Sequence, residues 1–140
     1  MMLMENTILI IDYKREAVDS LGALFLQSGW RVQRALGGEE GLAAARRHLP
    51  SIMVSDLAMP GMSGFDLAEA MMEMFGEACP IMIALTGWSD KGVAKQALDA
   101  GFSVVLTKPV EFPELLSVVR LGAVARAGRA SQGAAAVDSH

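Results

Sequence analysis

The chain has 140 residues, 52% of them apolar, which suits one domain with a buried core. A net charge of -4 and a pI near 5.1 exclude the basic face that direct binding to nucleic acid requires. The single cysteine, Cys79, excludes an internal disulfide and fits a reducing, cytoplasmic setting, and no apolar run reaches the ~20 residues that cross a bilayer.

Thr7 to Ile11 is a continuous apolar, β-branched run and reads as a strand buried on both faces. It is too short for a signal peptide and stops at Asp12. Ala17, Leu21, Leu24 and Phe25 recur at helical spacing, and Ser28-Gly29 closes that helix. Trp30 to Ala35 alternates as a second strand, which Gly37-Gly38 breaks. Glu39 and Glu40 suit the first turn of a helix, where the dipole favours anions. Leu42, Ala45 and Leu49 supply its inner face, and Pro50 ends it. His48 closes that helix as a favourable cation rather than as a phosphorelay residue.

Ile52 to Ser55 reads as a short buried strand that stops at the carboxylate of Asp56. Pro60-Gly61 and Ser63-Gly64 mark turns, and Leu67, Ala70, Met71 and Met74 then follow at helical spacing. Cys79 precedes Pro80 at a strand entrance and reads as a small core residue. Ile81 to Leu85 is a fourth strand ending at Thr86-Gly87. Val93, Ala94, Ala97 and Leu98 form a helical face that stops near Gly101. Ser103 to Leu106 is a fifth strand, followed by Thr107-Lys108-Pro109 and a helix with Phe112, Leu115, Leu116 and Val119 inward. From 122 to 140 the chain is rich in Ala, Gly and Ser, and is expected to prolong that helix for a turn or two and then fray. The ten methionines read mainly as core filler.

Strands alternating with helices imply a parallel α/β sheet covered on both faces. In such a sheet every carboxyl end lies on one edge, where ligands and chemistry are found. Asp12, Asp56, Thr86 and Lys108 close the first, third, fourth and fifth predicted strands, so they should converge there. Two carboxylates suit a hard divalent cation such as Mg²⁺. A hydroxyl and a lysine facing them suit a phosphoryl group.

With Ile10-Ile11-Asp12, Asp56 followed by Met59-Pro60-Gly61-Met62-Ser63-Gly64, Leu85-Thr86-Gly87 and Thr107-Lys108-Pro109, the chain resembles a response-regulator receiver domain of bacterial two-component signalling. The resemblance covers about residues 6 to 121, and sets the domain at 5–121 with 122–140 as a tail. It implies a flavodoxin-like, doubly wound five-stranded sheet of order 2-1-3-4-5. It implies Asp56 as phosphoacceptor, with Thr86 and Lys108 binding the phosphoryl group. Asp12, Asp56 and the backbone carbonyl of Ala58 are the implied Mg²⁺ ligands, and Lys108–Pro109 the implied cis bond. The implied partners are a histidine kinase or phosphotransfer protein and a downstream protein, with room for a homodimer.

The chain departs from the family pattern at two positions. Receivers usually carry a second acidic residue after the first, and here Asp12 is followed by Tyr13. A phenol, protonated at neutral pH, is a poor Mg²⁺ ligand, so metal binding is expected to be weak before phosphorylation. Val105 stands where the family commonly has an aromatic ring that moves with the threonine. Trp88, two residues after Thr86, reads equally as a core residue or as a lid over Asp56.

Two readings of function stand side by side. One is a phosphorylation switch at Asp56. The other is a pseudo-receiver, an interaction module whose Mg²⁺-dependent phosphorylation is impaired by Tyr13. A dehalogenase-type phosphatase would want a second Asp two residues after the first, where Ala58 stands. A flavodoxin would want a phosphate loop where Tyr13-Lys14-Arg15 stands.

Overall fold

The structure, a computed structural model, describes residues 6–88 and 91–138, with side chains as far as 129. Strands β1 (Thr7–Ile11), β2 (Arg31–Ala35), β3 (Ile52–Asp56), β4 (Ile81–Thr86) and β5 (Val104–Thr107) alternate with helices α1 (Arg15–Gln27), α2 (Gly38–Arg47), α3 (Gly64–Phe75), α4 (Lys91–Ala100) and α5 (Phe112–Asp138). A turn of 3-10 helix at Gly76–Ala78 leads into β4. All pairings are parallel and the order is β2-β1-β3-β4-β5, the doubly wound sheet that the alternation implies.

Register sets the height of the site. Ile11 pairs with Ser55, Asp56 with Leu85, and Thr86 with Thr107. The four strand ends thus lie level along one edge. The sheet is held there by apolar clusters on both faces. Leu9, Ile11, Met53, Leu67, Met71 and Met82 pack beneath α2, α3 and α4. Ile8, Ile10, Phe25, Ile52, Leu115 and Val119 pack beneath α1 and α5. Successive residues of β1 thus point to opposite faces, as a pleated strand requires. Burying each such large side chain contributes about 1.5–3 kcal/mol. Cys79 is buried in the first of these clusters.

Four apolar residues expected on inner faces, Leu24, Leu49, Met74 and Leu98, are exposed. In α1 the buried line runs through Val18, Gly22 and Phe25, which puts Leu24 on the flank. Leu98 is about 100° around α4 from the buried Ala97, at 3.6 residues per turn, and Met74 lies in the last turn of α3, past the buried Leu67, Ala68 and Met71. Leu49 lies beyond the end of α2, because His48 is already extended at φ -144 and the helical period no longer applies. Trp30 is buried just before β2 rather than in it, its ring edge-on to Phe25 at 6.1 Å. The methionines divide: Met53, Met71 and Met82 are core, while Met72 and Met74 are exposed.

α5 is longer than a turn or two past 121 and runs to Asp138. Alanine is the best helix former and no proline interrupts this stretch. Its Arg126 and Arg129 donate to the carbonyls of Ala78 and Cys79 at 2.9 and 3.2 Å, tying the helix to the entrance of β4. No helix among the described residues is long and apolar enough to cross a membrane.

Candidate functional site

Asp12 leaves β1 with its side chain buried against the edge of the sheet. Its Oδ1 accepts the Lys14 backbone N–H at 3.0 Å, which holds the carboxylate in a turn of its own making. Asp56 is the last residue of β3 and only 7% exposed. The Ser55 hydroxyl donates to the Asp56 carbonyl at 2.8 Å.

The loop after Asp56 is tight because α3 begins immediately below it. Ser63 caps α3: its hydroxyl accepts the Asp66 N–H at 3.1 Å, and the Asp66 carboxylate accepts the Ser63 N–H at 3.2 Å. Gly64 donates its N–H to the Leu57 carbonyl at 2.9 Å. This close approach is why residue 64 has no side chain.

Lys108 follows β5 and turns back over the edge, and its peptide bond to Pro109 is cis. Its ammonium lies 3.5 Å from Asp12 Oδ2 and 3.5 Å from Asp56 Oδ1. Its backbone N–H donates to the Thr86 carbonyl at 2.7 Å. Thr86 ends β4, is 2% exposed, and accepts the Trp88 N–H on Oγ1 at 2.9 Å. The structure therefore brings Asp12, Asp56 and Lys108 into direct contact. Thr86 is joined to Lys108 through the backbone.

The other expected residues are more scattered. Ala58 is exposed in the loop after β3. Tyr13 is 46% exposed and its ring faces the Lys14 ammonium at 5.7 Å rather than the pocket pair. Val105 is partly buried against the cluster under α2, α3 and α4. Trp88 is 49% exposed, so the reading of it as a core residue does not hold.

A groove of about 360 Å³ runs from Asp12, Asp56 and Lys108 along α1, walled by Ala17, Leu21 and Val110. Sequence reasoning missed it. Leu21 and Ala17 read as core because their helical spacing is the same whether the covering surface is sheet or partner.

Chemically, two buried carboxylates share one ammonium, so the pocket keeps an unbalanced negative charge and can take a further cation. The carboxylates of Asp12 and Asp56 offer hard oxygen donors at this edge. Mg²⁺ is commonly held by one or two carboxylates together with phosphate oxygens and water, and these residues fit that ion. No group of three or more His, Cys, Asp or Glu side chains able to hold a metal occurs among the described residues.

Residues 8–120 match the response regulator receiver domain family. Among curated proteins the chain is 37% identical over 119 residues to a 14.6 kDa protein from the sodA1 3′ region of Leptolyngbya boryana, covering 84% of this chain and 90% of that one. It is 33% identical over 113 residues to the transcriptional regulatory protein KdpE of Mycobacterium tuberculosis, covering 81% of this chain but 49% of KdpE. It is 31% identical over 115 residues to the protein PilH of Pseudomonas aeruginosa, covering 80% of this chain and 93% of PilH. Thus it spans about half of the length of KdpE and nearly all of PilH. In fold it is similar to a CheY-like receiver domain protein from Methanospirillum hungatei, with a TM-score of 0.83 at 24% identity, covering 89% of this chain and 98% of that one. The buried acidic pair under a lysine, the sheet order and the matched residues agree, and the chain belongs to the response regulator receiver domain family.

Proposed function

We propose that residues 5–121 form a phospho-accepting switch that takes a phosphoryl group on Asp56 from a histidine kinase or phosphotransfer protein and thereby alters its contacts with a downstream protein. One observation carries this reading: Lys108 Nζ sits 3.5 Å from both Asp56 and Asp12 at the carboxyl edge of the sheet. In the transfer an Asp56 carboxylate oxygen attacks phosphorus, and the bond from phosphorus to the donor's imidazole nitrogen breaks. The nitrogen leaves with the bonding pair. Lys108 offsets charge on the phosphoryl oxygens, and Thr86 can donate its hydroxyl to one of them. The groove along α1 opens onto Asp56, and its apolar walls suit the donor's docking helix.

Asp12, Asp56 and the Ala58 carbonyl would hold Mg²⁺. When bound, the ion would supply further neutralisation of phosphoryl charge. Helix α5 carries the chain on past 121 into the tail, where Arg126 and Arg129 hold it to the entrance of β4, and the reading is of a cytoplasmic protein.

A second reading is favoured by Tyr13, which stands where the family usually has its second acidic residue and which leaves two carboxylates instead of three. In that reading the domain is a pseudo-receiver that binds partners without Mg²⁺-dependent phosphorylation.

Treatment with acetyl phosphate, with Mg²⁺ or with a chelator, tests both. Intact-mass analysis should show one phosphoryl group with Mg²⁺, absent in Asp56→Asn. An adduct that persists in Asp56→Asn would overturn the assignment of Asp56. No adduct at any Mg²⁺ concentration would establish the pseudo-receiver.

A further inference from the structure

We propose that Trp88, rather than residue 105, carries the phosphorylation state of Asp56 to the protein surface; this rests on the reading of Asp56 as the phosphoacceptor. Thr86 is held at two points. Its carbonyl accepts the Lys108 N–H at 2.7 Å, and its Oγ1 accepts the Trp88 N–H at 2.9 Å. Its backbone is thus tied to the residue whose ammonium grips Asp56. Its side chain is tied to the next loop.

The hydroxyl proton is the only side-chain donor Thr86 can offer. A phosphoryl group on Asp56 presents charged oxygens, and a hydrogen bond to a charged acceptor is roughly twice as strong as a neutral one. Moving Oγ1 toward that acceptor either breaks its bond from Trp88 or draws the Trp88 amide along. In the first case the Trp88 amide loses its partner and the turn is released, and in the second the backbone at Trp88 moves with it. Gly87 lies between the two residues, and the space beside its Cα is open, with nothing within 4 Å of where a Cβ would be. Trp88 is 49% exposed, so its indole changes the outer surface when its backbone moves.

Val105 lacks the means to do this. Its Cα pairs with Ala84 on β4, and its side chain packs into the core cluster. It is β-branched, stiff at χ1, and has no polar atom to bond Thr86.

The chain has two tryptophans, and Trp30 is 5% exposed against Phe25 in the cluster under α1 and α5. In Trp30→Phe, emission therefore reports Trp88 alone. Acetyl phosphate with Mg²⁺ should shift that emission as the adduct forms, and the shift should decay as the adduct hydrolyses. Scaled to the amount of adduct read by intact mass, the shift should be lost in Thr86→Val and kept in Thr86→Ser. Val105→Ala should leave it unchanged. The backbone amide resonance of Trp88 in the unsubstituted chain gives the same answer without the phenylalanine. An adduct with unmoved Trp88 signals, or a shift that survives Thr86→Val, would overturn the inference and leave Asp56 as phosphoacceptor. Absence of any adduct would overturn the phosphoacceptor reading, and this one with it.

Discussion

Lys108 places its ammonium 3.5 Å from a carboxylate oxygen of Asp56, and it is shared at the same distance with Asp12. Both aspartate side chains are nearly buried, while the lysine is 38% exposed. Removing one partner of a buried pair costs about 3–5 kcal/mol, but water and salt reach this lysine and reduce that figure. Lys108→Met should therefore lower stability by about 1–2 kcal/mol. The loss should appear as a lower urea midpoint at unchanged slope. Adding Asp56→Asn should restore most of it, because one of the two stranded charges is then gone.

Tyr13→Asp should tighten Mg²⁺ binding and speed phosphorylation of Asp56. Even residues one shell removed from a metal change affinity about 10–100-fold, so a direct ligand should gain at least about 10-fold. The same substitution should lower the stability of the metal-free protein, because a third carboxylate joins two that already repel. Titration of tryptophan fluorescence with Mg²⁺ compares the two proteins. Equal affinity would show that Tyr13 does not weaken the site.

Gly64→Ala should damage both fold and site. A Cβ at residue 64 would overlap the Asp56 carbonyl oxygen and come within 2.8 Å of Leu57 Cα, both of them backbone atoms that cannot swing aside. Overpacking of this kind costs roughly 1–3 kcal/mol, and relief by moving Asp56 should slow phosphate uptake. Gly128→Ala is the contrast. That glycine sits in α5 with nothing within 4 Å of a new Cβ, and alanine should raise stability by up to about 1 kcal/mol. Thermal unfolding of the two variants should move in opposite directions.

Cys79 should behave as a core thiol. Burial pushes its ionisation up from 9.0, and the nearby Arg129 and Arg126 pull it only part of the way back. The folded thiol keeps its proton at pH values where the unfolded one has lost it. Stability is therefore unaffected by this group below 9.0 and falls as the pH rises past that value. Cys79→Ala should remove this alkaline loss. Iodoacetamide should leave the native thiol unmodified and label it in urea.

Much of this protein was legible in the residues themselves. The continuous apolar runs of Thr7–Ile11 and of the strand ending at Asp56 mark strands, and the 3.6-residue spacing between them marks helices, both local properties of the backbone. Given parallel strands, the position of Asp12, Asp56, Thr86 and Lys108 on one edge follows as well. The flanks of the helices do not. Leu24 and Leu98 are as apolar as their buried neighbours, and only the rotation of each helix against the sheet left them outside.

The order of elements and the edge on which the polar residues gather are thus written in local residue patterns. How they meet is set by contacts between distant parts of the chain. Lys108 and Asp12 are 96 residues apart, and their contact depends on where β5 and the turn after it come to rest. Arg126 reaches the carbonyl of Ala78 across 48 residues because α5 lies over the entrance of β4. Trp88 could be core or surface by composition, and the loop after Thr86 placed it half in solvent. Periodicity acts over neighbouring residues, whereas these contacts depend on the packing of whole helices against the sheet, a property of the assembled fold.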